Sequence, residues 1–592
     1  VAKLLFTLMS LWFVPQSVSA FEIQLVTPGA EDDLRKRIFA SSLIYAAKND
    51  GTTDGQDIIA AAQSDYRRLI GVLYSQGYFG PSIKISVDGQ EASEISPFAN
   101  IASVSLISMT VVTGPKFNFG KTDLAPLAPD TELPEGFAPE KEARVSVIEG
   151  AASAGVAGWR DVGHAKANVS GQSITADHRN QKLDVDVDLD PGPQATFGEL
   201  VYKGKSAVRE ERIRKIADLP AGQTFDPETA KQVATRLRRT GTFRSVDLRE
   251  ADELGADDSL DMELTVVDDL KRRIGFGAEF ESRDGISLSS YWLHRNLFGG
   301  AESLRFDASI ENIGAQNGGT DYRVGVLYTR PATLRSDTDL TFGFELKQED
   351  EPLYFIKQVA SQIALKRYVS ERFEVSVGLG FQISEVDDNF GERDFSVYGI
   401  PIRAKLDERD DILDPTRGYY WALDASPYLG YSDAENGLYL YSDLRGYRGI
   451  GANNNVVAAG RLQLGSIIGP SLDTTPPDLL FFSGGGDTVR GQPYQSNFVT
   501  VNGIESGGLS FVGLSGEMRV KVTRQISTVA FYDAGFVGET SDFTGEGNWH
   551  AGAGLGVRYN TGFGPLRVDL AMPVSGETDG GLQLYIGIGH AF

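Results

Sequence analysis

Val512-Gly513-Leu514-Ser515-Gly516-Glu517-Met518-Arg519-Val520-Lys521-Val522 is the stretch on which the architecture turns. Val512, Leu514, Met518, Val520 and Val522 fall on one face of an extended chain and Glu517, Arg519 and Lys521 on the other, because strand side chains alternate with period two. The pattern recurs where Leu566, Val568 and Leu570 oppose Arg567 and Asp569. It returns at the end, where Leu582, Leu584, Ile586 and Ile588 share a face backed by Gln583, Tyr585, Gly587 and Gly589. Strands of about ten residues with so regular an apolar face fit a transmembrane barrel, apolar outward and polar inward. About sixteen fit between Lys271 and Phe592, the even number that closure of an antiparallel barrel requires. Tyr291, Trp292, Tyr419, Tyr420 and Trp421 stand near expected strand ends, as an aromatic girdle would. A soluble sandwich or propeller also alternates, but its strands run nearer 5 to 6 residues.

Upstream, between Phe21 and Asp268, the period keeps changing. Ile213 to Leu219 and Pro227 to Arg239 read as helices, the second with Asp226 at its N-cap, Pro227 in its first position and Gly241 past its end. A helix, glycine break, aromatic and strand occur twice: Tyr66 to Gln76 with Gly77-Tyr78-Phe79 and Ser82 to Val87, then Ala230 to Thr240 with Gly241-Thr242-Phe243 and Val246 to Arg249. A strand running into Gly-Pro also recurs, Met109 to Val112 before Gly114-Pro115 and Leu183 to Leu189 before Gly192-Pro193. Self-similarity of this kind marks an array of small modules. The turns place them at Phe21 to Pro115, Lys116 to Gly192 and Pro193 to Asp269, each mixed α/β, with the strand Leu260 to Val267 closing the array and the barrel running from Leu270 to Phe592.

The first twenty residues carry Lys3, an apolar run from Leu4 to Val14 and the ending Val18-Ser19-Ala20. This reads as a cleaved export signal, too short to span a bilayer. The formal charge is -25, with 81 acidic and 56 basic side chains, which argues against a nucleic-acid binder. Residues 21–268 hold 39 acids and 27 bases, residues 269–592 hold 42 and 28, so no acidic tail accounts for the charge. Absence of cysteine excludes disulfides and thiolate metal sites.

No catalytic constellation emerges. His164, His178, His294, His550 and His590 are scattered, and no HExxH, GxSxG or P-loop occurs. Gly552-x-Gly554-x-Gly556 has strand spacing and suits a bend or a close neighbour. Asp184, Asp186, Asp188 and Asp190 open like a calcium loop, but Leu189 stands where glycine is required and Ala195 where glutamate is, so they read as the wet face of a strand. Neither an enzymatic activity, a cofactor nor a metal is expected.

The longest connection without strand signals, about forty residues between Ile468 and Gly508, exceeds the 12 to 15 beyond which loops are usually functional. It contains Phe481-Phe482-Ser483-Gly484-Gly485-Gly486-Asp487-Thr488-Val489-Arg490-Gly491-Gln492-Pro493-Tyr494, aromatic and glycine-dense around one arginine, and suits folding back into a lumen. A guanidinium held there needs carboxylates to offset desolvation. Period-two counting offers Glu517 and Asp533.

Val489-Arg490-Gly491 in such a loop, after three α/β modules, resembles the outer-membrane assembly superfamily that includes BamA, TamA and the two-partner secretion transporters. The resemblance extends to Asp414-Pro415-Thr416-Arg417-Gly418-Tyr419, to Phe531-Tyr532-Asp533-Ala534-Gly535, to Gly562-Phe563-Gly564-Pro565-Leu566-Arg567-Val568-Asp569 and to the terminal Phe592. It implies that the modules are periplasmic POTRA domains below a barrel in the outer membrane of a Gram-negative bacterium. Their number implies the TamA branch. The family aromatic after the tripeptide is replaced by Gln492, and Tyr494 is expected to supply it.

What the resemblance implies for activity is insertion or translocation of unfolded β-barrel or autotransporter-type clients into outer-membrane lipid without covalent chemistry. The first strand, from Lys271 to Phe280, and the last, from Leu582 to Phe592, would close weakly, with Ile274, Ile586, Gly587, Gly589 and Phe592 at the seam. A TamB-like, inner-membrane-anchored partner would dock on the modules. The alternative is a two-partner secretion transporter passing substrate through the lumen, for which two modules and a plug helix are expected; a passive porin would need no modules.

Overall fold

The computed structural model describes residues 21–592 apart from 97, 98, 100, 102, 283, 284, 316, 317, 452, 562, 563, 577–580 and 589–592. The export segment ending at Ala20, Gly562-Phe563 of the terminal motif and the seam residues Gly589 and Phe592 lie outside the described residues. Two compact units make up the chain. One holds the residues up to Glu199 with Ala221–Thr229 and Ala251–Asp261, the other Leu200–Pro220, Ala230–Glu250 and the chain from Met262.

Three small sheets precede the barrel. In the first, Glu22–Val26 pairs in parallel with Leu106–Val112, which pairs antiparallel with Ser82–Val87. Helix Gly55–Ser75 packs on it through Ile58, Leu69 and Leu73, and Asp54 caps its start by accepting from the amides of Gln56 and Asp57. In the second sheet, Leu183, Val185, Val187 and Leu189 are buried, while Asp184, Asp186, Asp188 and Asp190 between them face solvent. That is the two-sided strand that the alternating aspartates describe.

The third sheet orders its strands as Thr196–Lys203, Ser259–Asp268, Phe243–Glu250. Helix Pro227–Arg239 matches its sequence signals, Asp226 accepting from the Thr229 amide at 2.9 Å. The helix before it runs Glu210–Ala217 rather than Ile213 to Leu219, since Asp218 turns left-handed at φ 49° ahead of Leu219-Pro220.

Within the second unit, these helices bind the short turns on the module side of the barrel. Arg236 and Arg239 reach Asp337 at 3.0 and 3.1 Å, the Arg239 guanidinium lies 3.6 Å over Tyr368, and buried Arg212 donates to the Pro331 carbonyl at 2.6 Å. Burial opposes the charge on Asp337, but the two guanidiniums outweigh it and hold the carboxyl below its usual range.

The barrel is a closed antiparallel sheet of sixteen strands, the first Arg272–Glu281 and the last described over Gln583–Ile588. The eighth is broken into Gly391–Gly399 and Ile402–Asp407, both pairing with the same two neighbours, because Pro401 at the break has no amide to donate. Adjacent residues of a strand face opposite sides, which divides the expected aromatic girdle. Tyr291 and Tyr420 point inward under Arg305 and Arg445, whereas Trp292 and Trp421 sit opposite the lipid-facing Phe306 and Leu444.

Candidate functional site

Between strands Val456–Ile468 and Ser510–Lys521 the chain folds back against the inner wall. Isolated bridges join Phe481 to Gly508 and Ser483 to Asn497, and Phe481 stacks between Tyr439 and Phe511 at ring separations of 5.6 and 5.9 Å. Ser483 Oγ lies 2.8 Å from His550 Nε2. These contacts seat the tripeptide against the strands Ser510–Lys521, Ile526–Gly538, Gly547–Thr561 and Gly564–Ser575.

Arg490 is 1% exposed. Its Nε and Nη2 donate to the two oxygens of Asp533 at 2.7 and 3.1 Å, and Nη1 donates to Glu517 at 2.7 Å and to Asp569 at 3.4 Å. The Arg490 amide also donates to Asp533, at 3.2 Å. A bidentate fork of this kind fixes orientation as well as energy. The network continues outward: Arg519 to Glu517 at 2.8 Å, Arg558 to Asp569, and Arg567 to Glu279 of the first strand at 2.9 Å. Arg490, Arg519, Arg558 and Arg567 thus face Glu517, Asp533, Asp569 and Glu279, a set with no net charge. Neutrality is what allows so much charge to sit in a largely buried place.

Close approach explains the glycines. A Cβ on Gly552 would lie 2.0 Å from the Arg490 carbonyl oxygen, and one on Gly535 2.2 Å from Ser483 Oγ and 2.9 Å from Val489. The Phe531 ring lies 3.6 Å under the Arg490 guanidinium. Tyr494 does not supply that aromatic: its hydroxyl donates to Glu351 at 3.0 Å across the lumen. Gln492 is buried and gives its amide to the carbonyls of Ala551 and Ser575 at 2.6 and 2.8 Å, a polar plug where the family carries a ring.

Gly491 ties the loop to the last strand, its amide donating to Tyr585 at 2.9 Å and its carbonyl accepting from Gln583 at 3.1 Å. Sequence reasoning assigned no role to Asp569, Arg558, Gln583 or Tyr585. Alternation put Asp569, Gln583 and Tyr585 on the inner face, but not which luminal residues share a depth.

The last strand pairs over six residues with Gly564–Ser575, from Leu566 opposite Ile588 to Ala571 opposite Gln583. To the first strand it pairs, among the described residues, through Phe280 opposite Ile586 and Glu281 opposite Tyr585, and just past them the Ser282 amide donates to the Leu584 carbonyl at 3.1 Å. The first strand pairs with its other neighbour over ten residues, Arg272 to Glu281. Ile274 lies on the first strand opposite Trp292, six residues before the Phe280 that faces Ile586. Gly587 lies inside the wall, where a Cβ would come 2.9 Å from Glu279 Oε1.

Comparison with known proteins agrees with this architecture. Residues 195–267 match a POTRA model, surface antigen variable number repeat, and residues 296–592 match the Omp85 superfamily domain. Chloroplast outer envelope protein 80 of Arabidopsis thaliana is 26% identical over 326 residues, 48% of this chain, and the chain spans 41% of that protein's length. Two solved structures share the fold. BamA from Haemophilus ducreyi lacking POTRA domains 1-3 has a TM-score of 0.61 at 17% identity, covering 80% of this chain and 100% of that one. CdiB from Acinetobacter baumannii has a TM-score of 0.53 at 14% identity, covering 81% and 90%. With a matching barrel domain over half its length, a matching POTRA module before it and a closed sixteen-stranded wall, the chain belongs to the Omp85 superfamily.

Proposed function

We propose that this protein is a TamA-like assembly factor that inserts or translocates unfolded β-barrel or autotransporter-type clients at the seam between Arg272–Glu281 and Gln583–Ile588. The observation that carries this reading is the pairing of the first strand with the last, Phe280 with Ile586 and Glu281 with Tyr585 among the described residues, where the barrel closes on itself. A seam that parts offers backbone donors and acceptors to an incoming strand. The barrel stands in the outer membrane of a Gram-negative bacterium with its modules in the periplasm. A TamB-like partner adds to the exposed edge of Glu22–Val26, the outermost strand of the first sheet, while the third module, bound to the barrel turns, hands material to the seam.

The test is a lock. The chain has no cysteine of its own, so Phe280→Cys with Ile586→Cys gives one defined disulfide across the paired register. Locked protein is expected to keep a folded barrel and lose client assembly, and reduction is expected to restore it. Full client assembly by locked protein would sink the seam mechanism. If the locked barrel instead still exported an unfolded substrate, the secretion-transporter alternative would take its place.

A further inference from the structure

On the module side of the seam the first strand opens with Lys271-Arg272-Arg273, three exposed cations in a chain of net charge -25. None of their side chains has an ion-pair or hydrogen-bond partner among the described residues. The nearest acids are engaged, Asp269 with Arg295 at 3.3 Å and Asp268 with Ser206 and the Ala207 amide. Alternation sets Arg272 on the same face as Ile274 and Phe276, which are 61% and 85% exposed, and that face is the lipid-facing one because Glu279, on the other, reaches inward to Arg567. Register places His294 directly opposite Arg272, Trp292 opposite Ile274 and Ser290 opposite Phe276. The His294 and Trp292 rings lie 5.8 Å apart. His294 Nδ1 is enclosed without a partner, so Nε2 is the nitrogen left to meet a ligand.

The outer wall therefore carries two adjacent nitrogen donors at its module-side rim and, immediately beyond them along the strands, exposed apolar surface beside a half-buried indole. We propose that this end of the seam holds one anionic phospholipid, its phosphate on Arg272 and His294 and its acyl chains along Ile274, Phe276 and Trp292. The chemistry is that of an amphiphile. Directly opposed residues in an antiparallel pair have Cβ atoms about 4.5 to 5.5 Å apart, close enough for both side chains to reach one phosphate. Arginine binds phosphate through a charge-assisted fork, and indole rings favour the headgroup boundary. An acidic peptide would satisfy the cations but leave Ile274 and Phe276 uncovered. The inference goes beyond the assembly reading and requires only that the barrel sits in a bilayer, so its test reads bound lipid and not client insertion.

The full chain is purified in detergent, exchanged against mixed micelles of phosphatidylglycerol or phosphatidylcholine, and its retained lipid counted by native mass spectrometry. The expected result is one phosphatidylglycerol per chain, held about tenfold more tightly than phosphatidylcholine. Arg272→Gln and His294→Gln are each expected to weaken it about tenfold, the size of one charge-assisted hydrogen bond. Arg448→Gln removes an exposed cation from the same rim elsewhere and is expected to change nothing. Heat-modifiable gel mobility reports folding; if Arg272→Gln misfolds, Arg272→Lys is expected to retain the lipid and Arg272→Met to lose it. Equal loss in Arg448→Gln would overturn the proposal in favour of a diffuse basic rim. Equal retention of both lipids, or displacement by glycerol phosphate or an acidic peptide alone, would also overturn it.

Discussion

Replacing Arg490 with alanine tests the luminal anchor most directly. The substitution removes the fork to Asp533, the 2.7 Å bond to Glu517, the longer contact to Asp569 and the stacking on Phe531. It also leaves three guanidiniums facing four carboxylates, most of them buried. Breaking a buried ion pair by removing one partner costs about 3 to 5 kcal/mol, chiefly because the stranded charge stays desolvated. At about 1.4 kcal/mol per power of ten, the population with the loop off the wall rises by roughly two to three and a half powers of ten. Chymotrypsin reads this, because Phe481 and the tripeptide are protected only while the loop is seated. Cleavage within 481–494 is expected to accelerate at least a hundredfold in Arg490→Ala, with the barrel still heat-modifiable. Adding Asp533→Asn restores three cations to three anions and is expected to recover part of the protection. Cleavage of Arg490→Ala within twofold of the parent would refute the anchor. A double variant that is worse than the single would refute the electrostatic account and leave packing on Phe531 as the cause.

Gly552→Ala puts a methyl 2.0 Å from the Arg490 carbonyl oxygen and should cost about 1 to 3 kcal/mol of loop seating by the same assay, whereas Gly516→Ala, with nothing within 4 Å, should be silent. Tyr585→Phe removes the acceptor of the Gly491 amide and should raise cleavage by about five- to tenfold, one ordinary hydrogen bond. Asp337→Asn should loosen the third module, seen as faster amide exchange in Pro227–Arg239. Because the Asp337 pKa is depressed on folding, its contribution is complete above the unfolded value near 3.9 and fades as pH falls through the lower folded value, so the parent should loosen only in that acidic window.

The barrel was legible because lipid on one side and a polar lumen on the other impose a period of two that no loop residue disturbs. Glu517 and Asp533 could be placed on the inner face by counting, and the structure has both against Arg490. Tyr494 was misread because proximity in sequence does not give direction in a loop whose backbone is left-handed at Gly491 and at Gln495. Phe531 takes its place from a neighbouring strand. The helix Glu210–Ala217 starts three residues earlier and ends two earlier than expected because the periodic apolar positions Ile213 and Ile216 set its face and not its ends.

The ion network also sets a charge count for the wall itself. Glu279 is the one carboxylate of the luminal set that belongs to the first strand, and it reaches Arg567 from across the seam. Parting the two edges withdraws that anion and leaves four guanidiniums beside three carboxylates. Any strand that takes the vacated edge inherits the surplus: an Asp or Glu at the depth of Glu279 restores the balance, and a Lys or Arg there adds to it. Under the proposed seam mechanism the edge would therefore discriminate among strands by the sign of one side chain, a selectivity that backbone pairing alone cannot provide.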